Sequence, residues 1–273
     1  MLESFKYVNH VGEVLEFGKG GLFANANDLR VYSWLYDSDK NRIENFRKGV
    51  VNKTIPVQIV AQSEEEGLLK KNQIFEIFEK DVIAEQPGKI IIGDYYLQCY
   101  VYASKKSEYL THKNLLTTSI SVAGDTENWI KETWKEFTYF DPTDGTGKGY
   151  EYGYEYDYSV GEGNMDTLFN GHFGSCDFII KISGYAFEPA ITIANHTYKV
   201  KETIQEGETL IINSKKKTVT LSRHGVIDNC FAKRDRSSYI FEKIPSGNST
   251  VYWNSGFNFE ITLLEERGEP KWT

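Results

Sequence analysis

The sequence predicts a mainly β protein with one main helix, divided into two domains. Short runs of β-branched and aromatic residues alternate with turns that contain Gly or Pro along most of the chain. Apolar residues at helical spacing occur in one segment, residues 63–82. The length of 273 residues exceeds the usual single-domain size of roughly 100–150 residues, so two domains are expected.

The composition is that of a globular protein suited to protein assembly. Hydrophobic residues make up 40% of the chain, and it contains 18 Tyr, 16 Phe and 5 Trp. Aromatic residues favour pleated sheets and are enriched where proteins meet proteins. The net charge of −8 repels the phosphate backbone, which argues against a dedicated nucleic-acid reader.

The remaining compositional signals are structural. The three cysteines, Cys99, Cys176 and Cys230, are odd in number and widely spaced, which favours buried free thiols over disulfides or a zinc site. The first 20 residues lack a continuous apolar segment, and no apolar run reaches membrane-spanning length. Neither secretion nor membrane insertion is therefore expected.

The first half of the chain begins with strands. Phe5–Asn9 and Glu13–Phe17 predict a hairpin. Leu29–Tyr36 alternates along its length, so it predicts a strand. One face of that strand carries three aromatic residues: Tyr32, Trp34 and Tyr36. Thr54–Ala61 is a further predicted strand, in which Pro56 indicates an edge or a strand start.

The one predicted helix follows. Ser63 and Glu66 form a capping-box pattern, and acidic residues crowd the first turn, where the helix dipole favours them. Apolar residues then recur at helical spacing: Leu68, Phe75, Phe78 and Val82. Residues 86–88, Gln-Pro-Gly, end the helix. Three strands are predicted after it: Ile90–Ile92, Tyr95–Ala103 and Leu115–Ala123.

Residues 141–163 are rich in Gly, Tyr and acidic residues and poor in aliphatic ones, which favours a domain junction. We expect one domain at residues 1–140 and another at 141–273. The second half predicts an antiparallel sandwich, because turn residues recur at short intervals. Its predicted strands are Cys176–Ile182, Ala190–Ile193, Thr209–Asn213, Thr218–Leu221, Ser249–Trp253 and Phe257–Leu264.

Two stretches carry a resemblance to a known family. Gly184–Trp272, which runs GYAFEPAITIANHTYKV and onward to ITLLEERGEPKW, resembles the C-terminal half of distal tail proteins of long, flexible-tailed bacteriophages. Phe75–Ser107, FEIFEKDVIAEQPGKIIIGDYYLQCYVYASKKS, resembles the helix, turn and strand pair of that family's ring-forming domain. The resemblance implies a ring-forming N-terminal domain and a galectin-like β-sandwich.

The same resemblance implies a structural role in a phage tail or a prophage-encoded, tail-derived particle. Members form a six-fold ring at the tail tip, so the implied partners are copies of the chain itself, a tail tube protein, and a tail-associated lysin or a receptor-binding or baseplate protein. DNA would pass through the ring without specific binding, which suits the acidic composition. The implied location is the virion tail tip, after synthesis in the bacterial cytoplasm. No cofactor, metal or membrane partner is expected.

A ring contact needs two different complementary patches on each subunit. Exposed strand edges and aromatic residues are able to supply them. The candidate interface residues are Phe5 and Tyr7 of the first hairpin, together with Tyr32, Trp34 and Tyr36. Packing inside the subunit is the alternative explanation for either group.

No catalytic pattern stands out. The five histidines have no HExxH or paired spacing, no GxSxG sequence occurs, and no glycine-rich stretch has phosphate-loop spacing. An enzyme is therefore not expected, and a wall hydrolase is a remote alternative. A carbohydrate-binding accessory module is the main one, with Trp253, Asn254 and His172 as possible sugar contacts, although the sugar-reading pattern of true galectins is missing.

Overall fold

The computed structural model describes residues 4–24, 27–107, 115–139, 164–254 and 256–272. These residues confirm a mainly β protein with one main helix. They fall into two compact units, residues 1–131 with 266–273, and residues 132–265. The predicted junction at 141–163 lies outside the described residues, so the division into 1–140 and 141–273 stays a prediction.

The first unit is built from antiparallel strands and the helix. Its elements are β1 Phe5–Val8, β2 Val14–Phe17, β3 Leu22–Phe23, β4 Trp34–Asp39, β5 Arg42–Lys48, β6 Val51–Val60, α1 Glu64–Ala84, β7 Gly88–Ile92, β8 Tyr95–Ser107, β9 Leu115–Gly124 and the start of β10 Trp129–Phe137. The strands pair in the order β2-β1-β7-β8, and β8 continues through β9 and β6 to β3. The predicted first hairpin is confirmed as β1 and β2.

Strand β6 alternates strictly between buried and exposed residues, which explains its one-sided packing. Pro56 lies within it, opposite Ser119 of β9. The Val60 amide donates to the Gly21 carbonyl at 2.7 Å, on the side of β3. Backbone nitrogens of alternate residues in a strand point to the same side, so the nitrogen of Pro56 points to the side of β3 as well. Strand β3 pairs only with Ile59 and Gln58 and does not extend as far as Pro56. The proline thus occupies a local edge, as predicted.

The predicted strand at Leu29–Tyr36 is wrong in its first half, because the strand begins at Trp34. Lys53 is buried and its Nζ donates to the carbonyls of Asp28 and Val31, at 3.0 and 2.5 Å. The Val31 amide also donates to the Asp28 carbonyl at 3.0 Å. These bonds use backbone groups that a strand would offer to a neighbour, so residues 28–31 form a turn.

The helix begins as predicted, since Ser63 Oγ accepts a hydrogen bond from the Glu66 amide at 3.2 Å. Its packed face differs from the simple periodic pattern. The buried residues are Gly67, Ile77, Phe78 and Asp81. Of the apolar residues singled out by spacing, Phe78 is buried, whereas three are exposed: Leu68, Phe75 and Val82.

The second unit is an antiparallel β-sandwich, as predicted. Its elements are the remainder of β10, then β11 Asn164–Asn170, β12 Asp177–Ser183, β13 Ala186–Phe187, β14 Ala190–Ile193, β15 His196–Lys199, β16 Thr203–Ile204, β17 Thr209–Asn213, β18 Thr218–Arg223, β19 Val226–Asn229, a 3-10 turn Phe231–Lys233, β20 Gly247–Trp253 and most of β21 Asn258–Arg267. One layer has the order β19-β18-β17-β12-β21 and the other β11-β20-β14-β15.

The sandwich core lies between these two layers. Side chains from both layers join one buried cluster, among them Ile180 and Ile261 of the first and Ile191 and Val251 of the second. Alternate residues of β21 point inward, as the sequence predicts for Phe259, Ile261 and Leu263. The unit therefore has its own hydrophobic core.

Candidate assembly surface

The hairpin formed by β4 and β5 is the most unusual surface of the first unit. Within the described part of the chain, these two strands pair with each other and with no other strand. All six residues of β4 are exposed, as are all but the last residue of β5. A two-stranded hairpin is marginally stable in water unless something packs against it. The hairpin is therefore a projection that a partner would stabilise.

Its two faces differ in character. Trp34 lies opposite Lys48, and Tyr36 opposite Phe46, so Trp34, Tyr36 and Phe46 share one face. After a β-bulge, Ile43 opposite Ser38 joins the same face. We call these four apolar residues the aromatic face; their exposed fractions are 50%, 61%, 56% and 50% in the order Trp34, Tyr36, Phe46, Ile43.

The opposite face of the hairpin is mostly polar. Asp37 and Arg47 form an ion pair there at 3.6 Å, and Asp37 lies opposite Asn45. Water solvates the polar face, whereas a contiguous exposed apolar face on a soluble protein usually marks a binding surface. The hairpin is thus amphipathic in a way that favours a partner on its aromatic side.

Lysine packing fixes the base of the hairpin. The Lys48 Nζ lies 4.6 Å from the Tyr32 ring centroid and 4.4 Å from that of Trp34. Among the described residues this ammonium has no hydrogen-bond acceptor, so the two ring faces take that place. Burial lowers the pKa of Lys48, while the carboxylate of Glu127 opposes the shift. The aromatic side chains here are therefore oriented and not merely exposed.

The C-terminal segment of the first unit packs at the same base. A β-carbon on Gly268 would lie 2.9 Å from both the Lys48 Nζ and the Tyr32 ring, so a larger residue at this position would displace them. Arg30 donates to the Pro270 carbonyl at 2.7 Å, and its guanidinium lies 3.9 Å from the Trp272 ring centroid. Residues 268–272 thus brace the segment that leads into β4.

A buried ion pair supports the turn before the hairpin. Lys53 Nζ lies 2.7 Å from Glu127 Oε1, with both side chains largely buried. The same ammonium binds the carbonyls of Asp28 and Val31. Three acceptors around one cation compensate for its burial. This cluster holds the start of the hairpin against the body of the unit.

Of the predicted interface residues, Tyr32, Trp34 and Tyr36 are exposed by 46% to 61%. The prediction for Phe5 and Tyr7 is corrected, because their exposed fractions are 2% and 1%. Phe5 stacks on Phe17 with ring centroids 4.3 Å apart. Hairpin alternation in the sequence shows that two faces exist but does not show which one faces the core.

Tyr7 belongs to a buried polar cluster on the inner side of α1. Its hydroxyl donates to Asp81 Oδ2 at 2.5 Å. The other carboxylate oxygen accepts from the His10 amide at 2.8 Å and lies 2.6 Å from His10 Nδ1. Burial raises the pKa of Tyr7, and the hydrogen bond to Asp81 adds to the shift. The cluster fixes the β1–β2 turn to the helix, and sequence spacing gives no signal of it.

The predicted sugar contacts do not form one site. Trp253 is 5% exposed and packs edge-to-face on Phe259 at 5.2 Å, so its ring face is unavailable to a sugar. Asn254 Oδ1 accepts from the Ala190 amide at 2.8 Å. His172 lies beyond Asn170, which pairs with Gly247 at the opposite end of β20 from Trp253. A seven-residue strand separates the ends by about 20 Å.

The cysteines are buried free thiols, as predicted. Burial raises the pKa of Cys99 to about 12 and that of Cys176 to about 11, so both are neutral thiols at physiological pH. In the part of the chain that the structure describes, no three His, Cys, Asp or Glu side chains are grouped to hold a metal ion. No helix there is long and apolar enough to cross a membrane.

Comparison with solved structures reveals the fold. A chain of the phage P2 baseplate in its activated conformation with calcium matches with a TM-score of 0.63 and 14% identity, covering 99% of this chain and 100% of that one. A chain of the phage p2 baseplate in its activated conformation with strontium matches with a TM-score of 0.62 and 14% identity, with the same coverage. The SPP1 Dit protein matches with a TM-score of 0.55 and 9% identity, covering 96% of this chain and 99% of that one. It is described as a hub of the adsorption apparatus of phages that infect Gram-positive bacteria.

No protein-family model and no curated protein sequence matches the chain. The likeness to the solved structures nevertheless extends over nearly the whole length of each protein and includes both units. The chain therefore has the fold of the Dit hub proteins of phage tails.

Proposed function

We propose that this chain is a structural subunit of a phage tail tip, where it joins the tail tube to the proteins that contact the host. The observation that carries this proposal is the structural match to a phage P2 baseplate chain and to the SPP1 Dit hub protein. Each match covers at least 96% of this chain and at least 99% of the other. Both matched structures are described as parts of an adsorption apparatus or baseplate. The chain accordingly acts by assembly and not by catalysis.

The assembly is a closed ring of six copies. A ring needs a head-to-tail contact in which two different patches of each subunit meet. The aromatic face of the β4–β5 hairpin is one such patch, because four of its apolar side chains are at least half exposed. The first unit, residues 1–131 with 266–273, is the ring-forming domain and contacts the tail tube protein. The second unit, residues 132–265, carries a tail-associated lysin or a receptor-binding protein.

The ring encloses a channel through which DNA passes without specific binding. The net charge of −8 supports this role, since phosphates bind where cations are available to replace their counterions. The assembled protein belongs to the tail tip of a virion or of a prophage-encoded particle, and the chain is synthesised in the bacterial cytoplasm.

Mass photometry of the purified full-length protein across a concentration series tests the proposal. We expect a species of six times the subunit mass of 31.3 kDa, visible as rings in negative-stain electron micrographs. Addition of the tail tube protein of the same particle should increase the mass further. A strict monomer that also fails to bind that tail tube protein would contradict the proposal.

A further inference from the structure

Helix α1 carries a second apolar stripe in addition to its buried face. Leu68, Phe75 and Val82 are spaced by seven residues, which is about two helical turns, so they form a line along the helix. Their exposed fractions are 55%, 55% and 42%. The periodicity is that of a packed helix surface, but the described residues of this chain leave about half of each of these side chains exposed.

A groove runs beside this stripe, between α1 and the strands β6, β8 and β9. Its volume is about 210 Å³. Phe75 and Val82 form its helical wall. The floor is apolar and comes from the three strands: Ile59, Val101, Leu116 and Ile120. Two lysines, Lys71 and Lys106, and one carboxylate, Glu79, also line it. The combination is an apolar groove whose charged lining side chains are two cations and one anion.

We propose that this groove receives the aromatic face of the β4–β5 hairpin from a second copy of the chain. The inference rests on the proposed ring and names the two surfaces that meet in it. The first unit carries both surfaces, and no hairpin residue lines the groove of its own subunit. Each subunit thus offers one ridge and one slot, which is the arrangement that a head-to-tail ring requires.

Charge favours this occupant. Lysine ammonium groups are attracted to aromatic ring faces, and Lys48 already lies 4.4 Å from the Trp34 ring centroid within the hairpin. Lys71 and Lys106 also line the groove and outnumber its one carboxylate, Glu79, so the rings of Tyr36 and Phe46 would meet a lining of net positive charge. Glu44, the bulged residue between Ile43 and Asn45, is exposed and adds a negative charge to the hairpin, opposite in sign to the net charge of the groove lining.

The contact area explains why a closed ring is needed. Four half-exposed apolar side chains on the hairpin would bury on the order of 400 Å², and the groove a similar area. That total of roughly 800 Å² lies below the usual size of a stable interface, about 1,200–2,000 Å². One contact is therefore weak, whereas each subunit in a closed ring makes two.

A mixing experiment tests the pairing. Phe46→Asp disables the hairpin and leaves the groove, while Phe75→Asp disables the groove and leaves the hairpin. Each variant alone should lose the ring, with at least tenfold weaker self-association by analytical ultracentrifugation. Mixed at high concentration, they should form a complex that stops at two subunits, because one productive contact remains. Leu69→Asp is the matched control, since Leu69 is 70% exposed on α1 but does not line the groove.

Cysteine cross-linking tests the same contact without relying on ring stability. The three native cysteines are all buried, so an introduced surface thiol is the reactive one. Under oxidation, Phe46→Cys protein mixed with Phe75→Cys protein should yield a covalent dimer between the two variants. Asn45→Cys, on the polar face of the hairpin, should cross-link to Phe75→Cys at least tenfold less.

The outcomes separate the two proposals. Wild-type rings that persist in Phe75→Asp, without a cross-link between positions 46 and 75, would overturn the inference and leave the proposed ring intact. Wild-type protein that forms no ring, alone or with its tail tube protein, contradicts the proposed function instead. Circular dichroism spectra equal to wild type establish that a variant which fails to associate is folded.

Discussion

Truncation of Phe46 to alanine is the sharpest single perturbation of the proposed ring. Phe46 is 56% exposed in the isolated subunit. A phenylalanine side chain has on the order of 200 Å² of surface, so its exposed part amounts to roughly 110 Å². Burial of that area at about 25 cal/mol per Å² stabilises each subunit contact by about 3 kcal/mol.

Loss of about 3 kcal/mol corresponds to a roughly 100-fold weaker contact. The subunit itself should hardly change, because an exposed side chain contributes little to its folding and surface substitutions usually alter stability by about 0.5 kcal/mol or less. Phe46→Ala should therefore retain the wild-type thermal midpoint while its rings dissociate at much higher protein concentration. Sedimentation velocity over a concentration series measures the change.

The matched control is Asn45→Ala, which removes an exposed side chain from the opposite face of the same strand. It should leave ring dissociation within about twofold of wild type, as expected for a residue outside the contact. Equal weakening by both variants would show that the hairpin acts through its general stability. Unchanged assembly in Phe46→Ala would refute the assignment of the aromatic face to the subunit contact.

Three further predictions concern the subunit. Asp81→Ala leaves the Tyr7 hydroxyl and the His10 amide without their buried acceptor, and should lower the free energy of unfolding in urea by about 3 kcal/mol; an effect under 1 kcal/mol would contradict this role. Lys53→Met should cost a similar ~3 kcal/mol, because buried Glu127 loses its cation, and addition of Glu127→Gln should restore part of the loss. Hydrogen bonds from Ser237 lower the pKa of Asp235 to about 2, so it stabilises the fold above the unfolded pKa of 3.8 and loses that contribution as the pH falls towards 2. Asp235→Asn should therefore reduce the loss of unfolding free energy between pH 3.8 and about 2, measured by urea unfolding at each pH. The same pH dependence in the variant and the wild type would contradict this role of Asp235.

Much of the fold was predictable because local chemistry agreed with tertiary structure. The capping box at Ser63 and the turn after the helix fixed the start and end of α1. Alternation identified β12, β14, β17, β18, β20 and β21 to within a few residues. The strands that escaped prediction include β13, which has two residues, β11, which has few β-branched residues, and β10, in which four charged residues interrupt the apolar ones.

The remaining errors concern faces and partners, which local periodicity does not encode. Leu68, Phe75 and Val82 have the spacing of a packed stripe, yet the pattern does not show whether the covering surface belongs to the same chain. Trp253 was a reasonable sugar contact by residue type, but its strand position turns it into the core. The non-strand path of residues 28–31 depends on Lys53, which is distant in sequence.

The chain enters the first unit, leaves it at residue 131 and re-enters it at residue 266. The sandwich is therefore an insertion within the fold that carries the hairpin, and the re-entering segment ends by bracing Tyr32 and Lys48 through Gly268. Such an architecture allows modular diversification, because the inserted module is able to grow, shrink or be replaced without a change in the fold that carries the hairpin. Any replacement must still bring the chain back to the first unit so that Gly268 packs against Tyr32 and Lys48.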